Sequence, residues 1–145
     1  MLNSFSWYNH DVLMPALDFE RVERWLQEVA ATYEKKIGQL SYIFCNDEEI
    51  LRVNRQFLQH DYYTDIITFD NTHGRVVSGD MFISLDTVSS NATDVSHEDY
   101  NRELLRVVVH GLLHLCGIND KGPGEREIME ECENRALTLY NAIKQ

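Results

Sequence analysis

The sequence predicts an α+β domain, a small mixed sheet packed with helices. Three observations carry that prediction. LSYIFC (40–45), DIITF (65–69) and DMFIS (80–84) are short runs rich in β-branched and aromatic residues, the composition of strands. Apolar residues recur at helical spacing near both ends of the chain. Between them, VVVHGLLHLCGIND (107–120) is so apolar that its helix belongs inside.

The elements follow in order. Residues 18–37 place Phe19, Val22, Leu26, Val29 and Tyr33 on one helical face behind Asp18 as N-cap. Residues 40–45 form a strand. NDEEILRVNRQF (46–57) is a second helix, capped by Asn46 or Asp47. DIITF is a buried strand, THGRVVSG (72–79) a turn with short strand content, and DMFIS a further strand. Ser96, followed by Glu98 and Asp99, opens a long helix to Cys116, and Gly117 stands where a helix end favours glycine. After the loop INDKGPG (118–124), a closing amphipathic helix reaches residue 143. Ile128, Cys132, Leu139 and Ile143 fall near one face, and Glu125, Glu127, Glu130, Glu131 and Glu133 on its wet side.

A chain of 145 residues suits one domain, residues 1–145, and no repeat or linker divides it. Hydrophobic content of 43% and charged content of 26% are those of a soluble globular protein. No apolar stretch approaches a membrane span, and the first residues lack the pattern of a signal peptide, so the expected location is cytoplasmic. Cys45, Cys116 and Cys132 are few, odd in number and widely spaced, which excludes a disulfide framework. A net charge of −11 opposes nonspecific nucleic-acid binding, and no DNA partner is expected. Arg52, Arg55 and His60 form a local basic cluster that answers this objection; a solvated helix face explains them equally well.

His110 and His114 lie four apart on the apolar helix, so their rings share one face. A buried imidazole requires a partner, either a core hydrogen-bond acceptor or a metal. The surroundings favour the metal. Gly111 lets a chain segment or substrate come close, Gly117 lets the chain turn back, and Asp120 supplies a carboxylate. His110, His114 and Asp120 with an open fourth position make the donor set of a catalytic zinc site, on a buried central helix. In the H-E-x-x-H peptidases a glutamate follows the first histidine; here Gly111 stands there, which argues against that class.

Three motifs resemble the YbeY family of bacterial metal-dependent endoribonucleases. HGLLHLCGIND (110–120) is similar to the family's H-G-x-L-H-L-x-G-Y-D-H, matching at His110, Gly111, Leu113, His114, Leu115 and Gly117. VNRQFLQHDYYTDIITF (53–69) resembles L-N-x-x-Y-R-x-x-D-x-P-T-D-V-L-S-F through Asn54, Phe57, Asp61, Thr64, Asp65 and Phe69, and SGDMFIS (78–84) resembles L-G-D-I-x-I-S. The resemblance covers most of residues 50 to 135.

It implies a single-strand-specific endoribonuclease of late ribosomal RNA maturation, at the 3′ end of 16S rRNA. One Zn²⁺ is the implied cofactor, and the small ribosomal subunit with its assembly factors the implied partners. Two departures stand out. Asp120 occupies the place of the third histidine ligand, which lowers the site's charge by one and leans it toward harder ions such as Mn²⁺. Leu58 stands where the family has a phosphate-meeting arginine, and Arg55, one turn earlier, is its candidate substitute. Arg55 or His60 is thus expected at phosphate, and His60 and Asp65 are candidate bases; Asp65 and Asp80 read equally as turn caps. Two alternatives remain open: a peptidase-like metallohydrolase, or a non-catalytic ribosome-assembly protein with a structural metal.

Overall fold

The computed structural model describes residues 4–59 and 64–144. Its elements run β1 (Phe5–Asn9), α1 (Phe19–Thr32), β2 (Lys36–Cys45), α2 (Asp47–Val53), β3 (Ile66–Asp70), β4 (Val76–Ser84), α3 (Leu85–Asp94), α4 (Tyr100–Leu115) and α5 (Glu125–Ala142). Helix α2 widens at its end into a π-helical turn, Asn54–Leu58. The sheet has the order β1-β2-β4-β3. β1 pairs parallel with β2 and β2 parallel with β4, while β3 runs antiparallel to β4. The sheet is thus mixed, and the α+β expectation holds.

Strand alternation sorts side chains onto two faces. Leu40, Tyr42 and Phe44 of β2 join Val77, Met81 and Ile83 of β4 in the main core, beneath α1, α4 and α5. Cys45, Ile50, Val53 and Ile67 form a smaller core, against which Phe69 and Phe82 pack. Trp25 of α1 is fully buried and donates Nε1–H to the Ala136 carbonyl at 2.6 Å, tying α1 to α5. The α5 face that is buried carries Met129, Cys132, Glu133, Ala136 and Leu137, whereas Ile128 is exposed. Cys132, Leu139 and Ile143 pack on the core as expected, and Ile128 alone of the four does not.

Caps explain most boundaries. Asp18 accepts from Arg21 N–H and Asn46 from Glu49 N–H, as expected. Helix α4 starts at Tyr100, because Asp99 rather than Ser96 caps it, accepting from Arg102 N–H at 2.8 Å. Helix α1 stops at Thr32, short of the expected residue 37. Glu34 takes φ +59, and its N–H and that of Lys35 return to the carbonyls of Ala31 and Ala30. That is a Schellman ending without a glycine, so nothing in the sequence flags it. The released residues open β2 at Lys36. The turn expected in 72–79 closes between His73 and Val76, and the strand content after it is continuous with DMFIS as one strand, β4; β1 and α3 are additional elements.

Gly79 of β4 lets the end of α4 lie close to the sheet. A Cβ there would stand 2.6 Å from the Phe69 carbonyl oxygen and 3.2 Å from Leu115 Cδ1. Among the described residues no helix is long and apolar enough to cross a membrane.

Candidate active site cleft

A cleft of about 880 Å³ lies where α4, α5, the start of β3 and the ends of α2 and α3 meet. Its walls include His110 and His114 of α4, Asp120 of the following loop, and Asp65. Helix α4 presents the histidines four apart, so they fall one turn from each other on the cleft side.

Asp120 reaches the cleft through the turn that ends α4. Gly117 adopts φ +98, its N–H returning to the His114 carbonyl and that of Ile118 to the Leu113 carbonyl. This Schellman motif reverses the chain after one residue that only glycine adopts easily. Asp120 Oδ2 then lies 3.3 Å from His110 Nε2.

The other ring nitrogen is held from α5. His110 Nδ1 lies 2.7 Å from Glu133 Oε2. The second Glu133 oxygen accepts from Arg106 Nη1 at 3.1 Å, and Arg106 Nη2 donates to Glu98 Oε1 at 2.9 Å. A line of alternating charge thus runs Glu98–Arg106–Glu133–His110–Asp120 along the cleft wall. Burial alone pushes the His110 imidazole down, but the Glu133 hydrogen bond and charge, with Asp65 and Asp120, carry it above the ordinary histidine range. Burial pushes the Asp65 carboxyl up, opposed by His110 and by backbone hydrogen bonds. Glu103 is also pushed up by burial, opposed by the Ser96 hydroxyl and Arg106.

The structure brings His110 and Asp120 together and places His114 exposed in the same cleft. Among the described residues no three His, Cys, Asp or Glu side chains stand close enough together to hold an ion. Gly111 faces the sheet. A Cβ there would stand 2.5 Å from Met81 Sδ and 2.9 Å from Ile66 Cδ1, so its close approach is to β4 and β3. Asn54, on the π-helical turn, is buried and lines the cleft, as does Leu58. Arg55 is exposed and absent from the cleft lining. Arg52 is held by Glu49 through two hydrogen bonds of 2.7 and 2.8 Å and by Gln56. His60 and Asp61 lie outside the described residues.

Several cleft residues escape the sequence reading, Arg106, Glu103, Glu133, Lys121 and Arg126 among them. Glu133 is expected on the wet side of its helix, yet it is 8% exposed. Its spacing from Met129, Ala136 and Leu137 puts it on the apolar stripe, a buried charge that the period alone betrays. Lys121, in the loop after Gly117, and Arg126, in the first turn of α5, also line the cleft.

Comparison with known proteins agrees with these motifs. The family model described as Endoribonuclease YbeY matches residues 9–141. The Endoribonuclease YbeY of Parabacteroides distasonis is 63% identical over 136 residues, 94% of this chain and 95% of that protein. That of Phocaeicola vulgatus is 60% identical, covering 94% of this chain and 98% of its own. That of Bacteroides fragilis is 56% identical, covering 94% and 97%. A Thermotoga maritima protein solved in solution shares the fold, with a TM-score of 0.64 at 23% identity over 94% of this chain and 88% of that one.

Proposed function

The chain belongs to the Endoribonuclease YbeY family, and we propose that its cleft cleaves single-stranded ribosomal RNA in the cytoplasm, late in maturation of the 16S rRNA 3′ end. The family is metal-dependent in general, and the reading assigns one divalent ion, Zn²⁺ or Mn²⁺, to His110, His114 and Asp120. The observation that carries it is His110, clamped at Nδ1 by Glu133 and meeting Asp120 at Nε2. A metal-ligating histidine characteristically gives its other nitrogen to a carboxylate.

The donor set fits such an ion: two imidazoles and one carboxylate, on one cleft, with two of the three already converging. When bound, the ion supplies a Lewis acid that polarises a phosphoryl oxygen and makes water a better nucleophile. The chain's residues do the rest. Glu133 fixes the ring orientation of His110 and keeps its proton on Nδ1, leaving Nε2 as donor atom. Arg106 holds Glu133 in place and balances its charge. Asp65, raised by burial and facing the cleft, is placed to accept a proton. Arg55, exposed and away from the cleft lining, is assigned to phosphate, and so is His60. The net charge of −11 favours docking aided by the small ribosomal subunit or an assembly factor.

The test is metal content by mass spectrometry of tag-free wild type, His114→Ala and Asp120→Ala, followed by cleavage of single-stranded RNA with and without chelator. The expected result is about one equivalent in the wild type, lost in His114→Ala and weakened in Asp120→Ala, with cleavage tracking metal content. No metal after reconstitution with Zn²⁺ or Mn²⁺, or cleavage indifferent to chelator, would sink this reading.

A further inference from the structure

An RNA strand entering this cleft meets a wall of carboxylates. Asp65, Glu98, Glu103, Glu130 and Glu133 all line it, on a chain that already carries −11. Among the described residues three Lys or Arg side chains line it in return: Arg106, Lys121 and Arg126. Arg106 is committed, because its guanidinium donates to Glu133, Asn134 and Glu98. Lys121 and Arg126 are exposed, and the side chain of neither has an ion pair or hydrogen bond with any described residue. They lie on the segment DKGPGER (120–126), which begins with Asp120 itself. Leu58, which also lines the cleft, brings it no charge.

We infer that Lys121 and Arg126 form the phosphate-binding pair of the cleft, gripping the RNA backbone next to the scissile position. This deepens the ribonuclease reading and rests on it. Three arguments support the assignment. An unpaired, solvated cation can exchange its counterion for a phosphate without breaking an internal pair, as Arg52 would have to break with Glu49. Lys121 follows Asp120 directly in the chain, and Lys121 and Arg126 both line the cleft that holds His110, where a backbone phosphate must sit for cleavage. The guanidinium of Arg126 can take two phosphate oxygens in a fork, while Lys121 acts as a point charge. Exposed Leu58 and Val95, on other elements lining the cleft, leave an apolar contact for base faces.

The test is fluorescence anisotropy of a labelled single-stranded RNA, read before turnover with its intactness checked by gel, titrated across a range of salt with metal-loaded protein. Wild type, Lys121→Ala/Arg126→Ala, Lys121→Arg/Arg126→Lys and Arg55→Ala are compared after circular dichroism and metal content establish equal folding and loading. The alanine pair is expected to bind about tenfold more weakly at low salt, with a log–log salt slope shallower by roughly 1.4, about 0.7 for each lost contact. The charge-conserving pair is expected to keep most of the affinity and slope, and Arg55→Ala to lose less than the alanine pair. An alanine pair that binds like wild type overturns the inference and leaves the ribonuclease reading intact. A charge-conserving pair that loses as much as the alanine pair also overturns it. A wild type that neither binds nor cleaves single-stranded RNA overturns both.

Discussion

Glu133 and His110, twenty-three residues apart on different helices, meet at 2.7 Å between Oε2 and Nδ1. Neither is fully exposed, and each has a further partner on its far side, Arg106 for the glutamate and Asp120 for the histidine. A buried carboxylate is costly unless paired, so this one binds α5 to α4 and aims the imidazole at once. The pair therefore belongs to both the fold and the chemistry.

Glu133→Gln separates the two roles. The amide keeps the size of the side chain and its oxygen can still accept from Nδ1–H, but the charge is gone. Zn²⁺ affinity is expected to fall about tenfold to a hundredfold, the usual cost of losing such a partner. A competitive chelator titration measures it. Affinity equal to that of the wild type would show that Glu133 serves packing alone.

Gly111→Ala tests the seat of α4 on the sheet. The new methyl enters the space of Met81, which is fully buried, and of Ile66. Overpacking of this kind costs about 1–3 kcal/mol. Because Gly111 follows His110 directly, the helix is expected to lift at the histidine turn, so both the urea midpoint and metal affinity should fall. Loss of metal with an unchanged midpoint would contradict the packing argument.

These predictions mark what the sequence made legible. Helix α4, its two histidines and the glycine that ends it follow from an apolar run and a single φ-positive position, and both signals are local. Helix α3 was not legible, because LDTVSSNATD is dominated by residues that compete for backbone hydrogen bonds. It holds through the Ser84 cap and the burial of Val88 and Ala92, the latter pair spaced at i, i+4. Strand β1 is five residues long and gains its place by stacking Trp7 on Tyr42 at 4.8 Å, a tertiary contact. Lys121 and Arg126 are illegible for a similar reason: a cation in a loop or in the first turn of an acidic helix means little until the fold lines the cleft with it.

Asp47 joins two of these elements. Its Oδ1 accepts from the hydroxyls of Ser84 and Thr87, both at 2.6 Å, while its own N–H donates to Asp86 Oδ2. The starts of α2 and α3 are thus cross-linked by their caps. Asp47→Ala takes the acceptor from the hydroxyl proton of Ser84, a fully buried residue whose oxygen still accepts from Thr87 N–H. A loss of about 1.5–3 kcal/mol is expected, the range for hydrogen bonds to a charged group. Chemical denaturation reads it directly, and metal affinity should stay at the wild-type level because the cleft residues are untouched.

Alkaline pH should weaken the fold through groups that the core keeps neutral. Burial pushes the Cys45 thiol up to about 12 and the Cys116 thiol up to about 11. Burial likewise drives the Tyr42 hydroxyl upward, and in its neutral form this hydroxyl donates to the Val108 carbonyl of α4 at 2.9 Å. Unfolded thiols ionise near ~8.5 and unfolded tyrosine near ~10. The native state therefore holds these protons where the unfolded state has released them, and stability falls as pH rises. The stabilisation from the thiols is full below about pH 8.5 and is lost progressively toward their folded values, with tyrosine adding to the loss above about pH 10. Urea midpoints at pH 8 and pH 10.5 are expected to differ in that direction. Cys116→Ala should make the dependence shallower, since it removes one of the titrating groups. The same burial predicts that Cys45 and Cys116 resist a thiol reagent at pH 8 and react once urea unfolds the chain. Rapid labelling of both in the native protein would contradict the burial on which the argument depends.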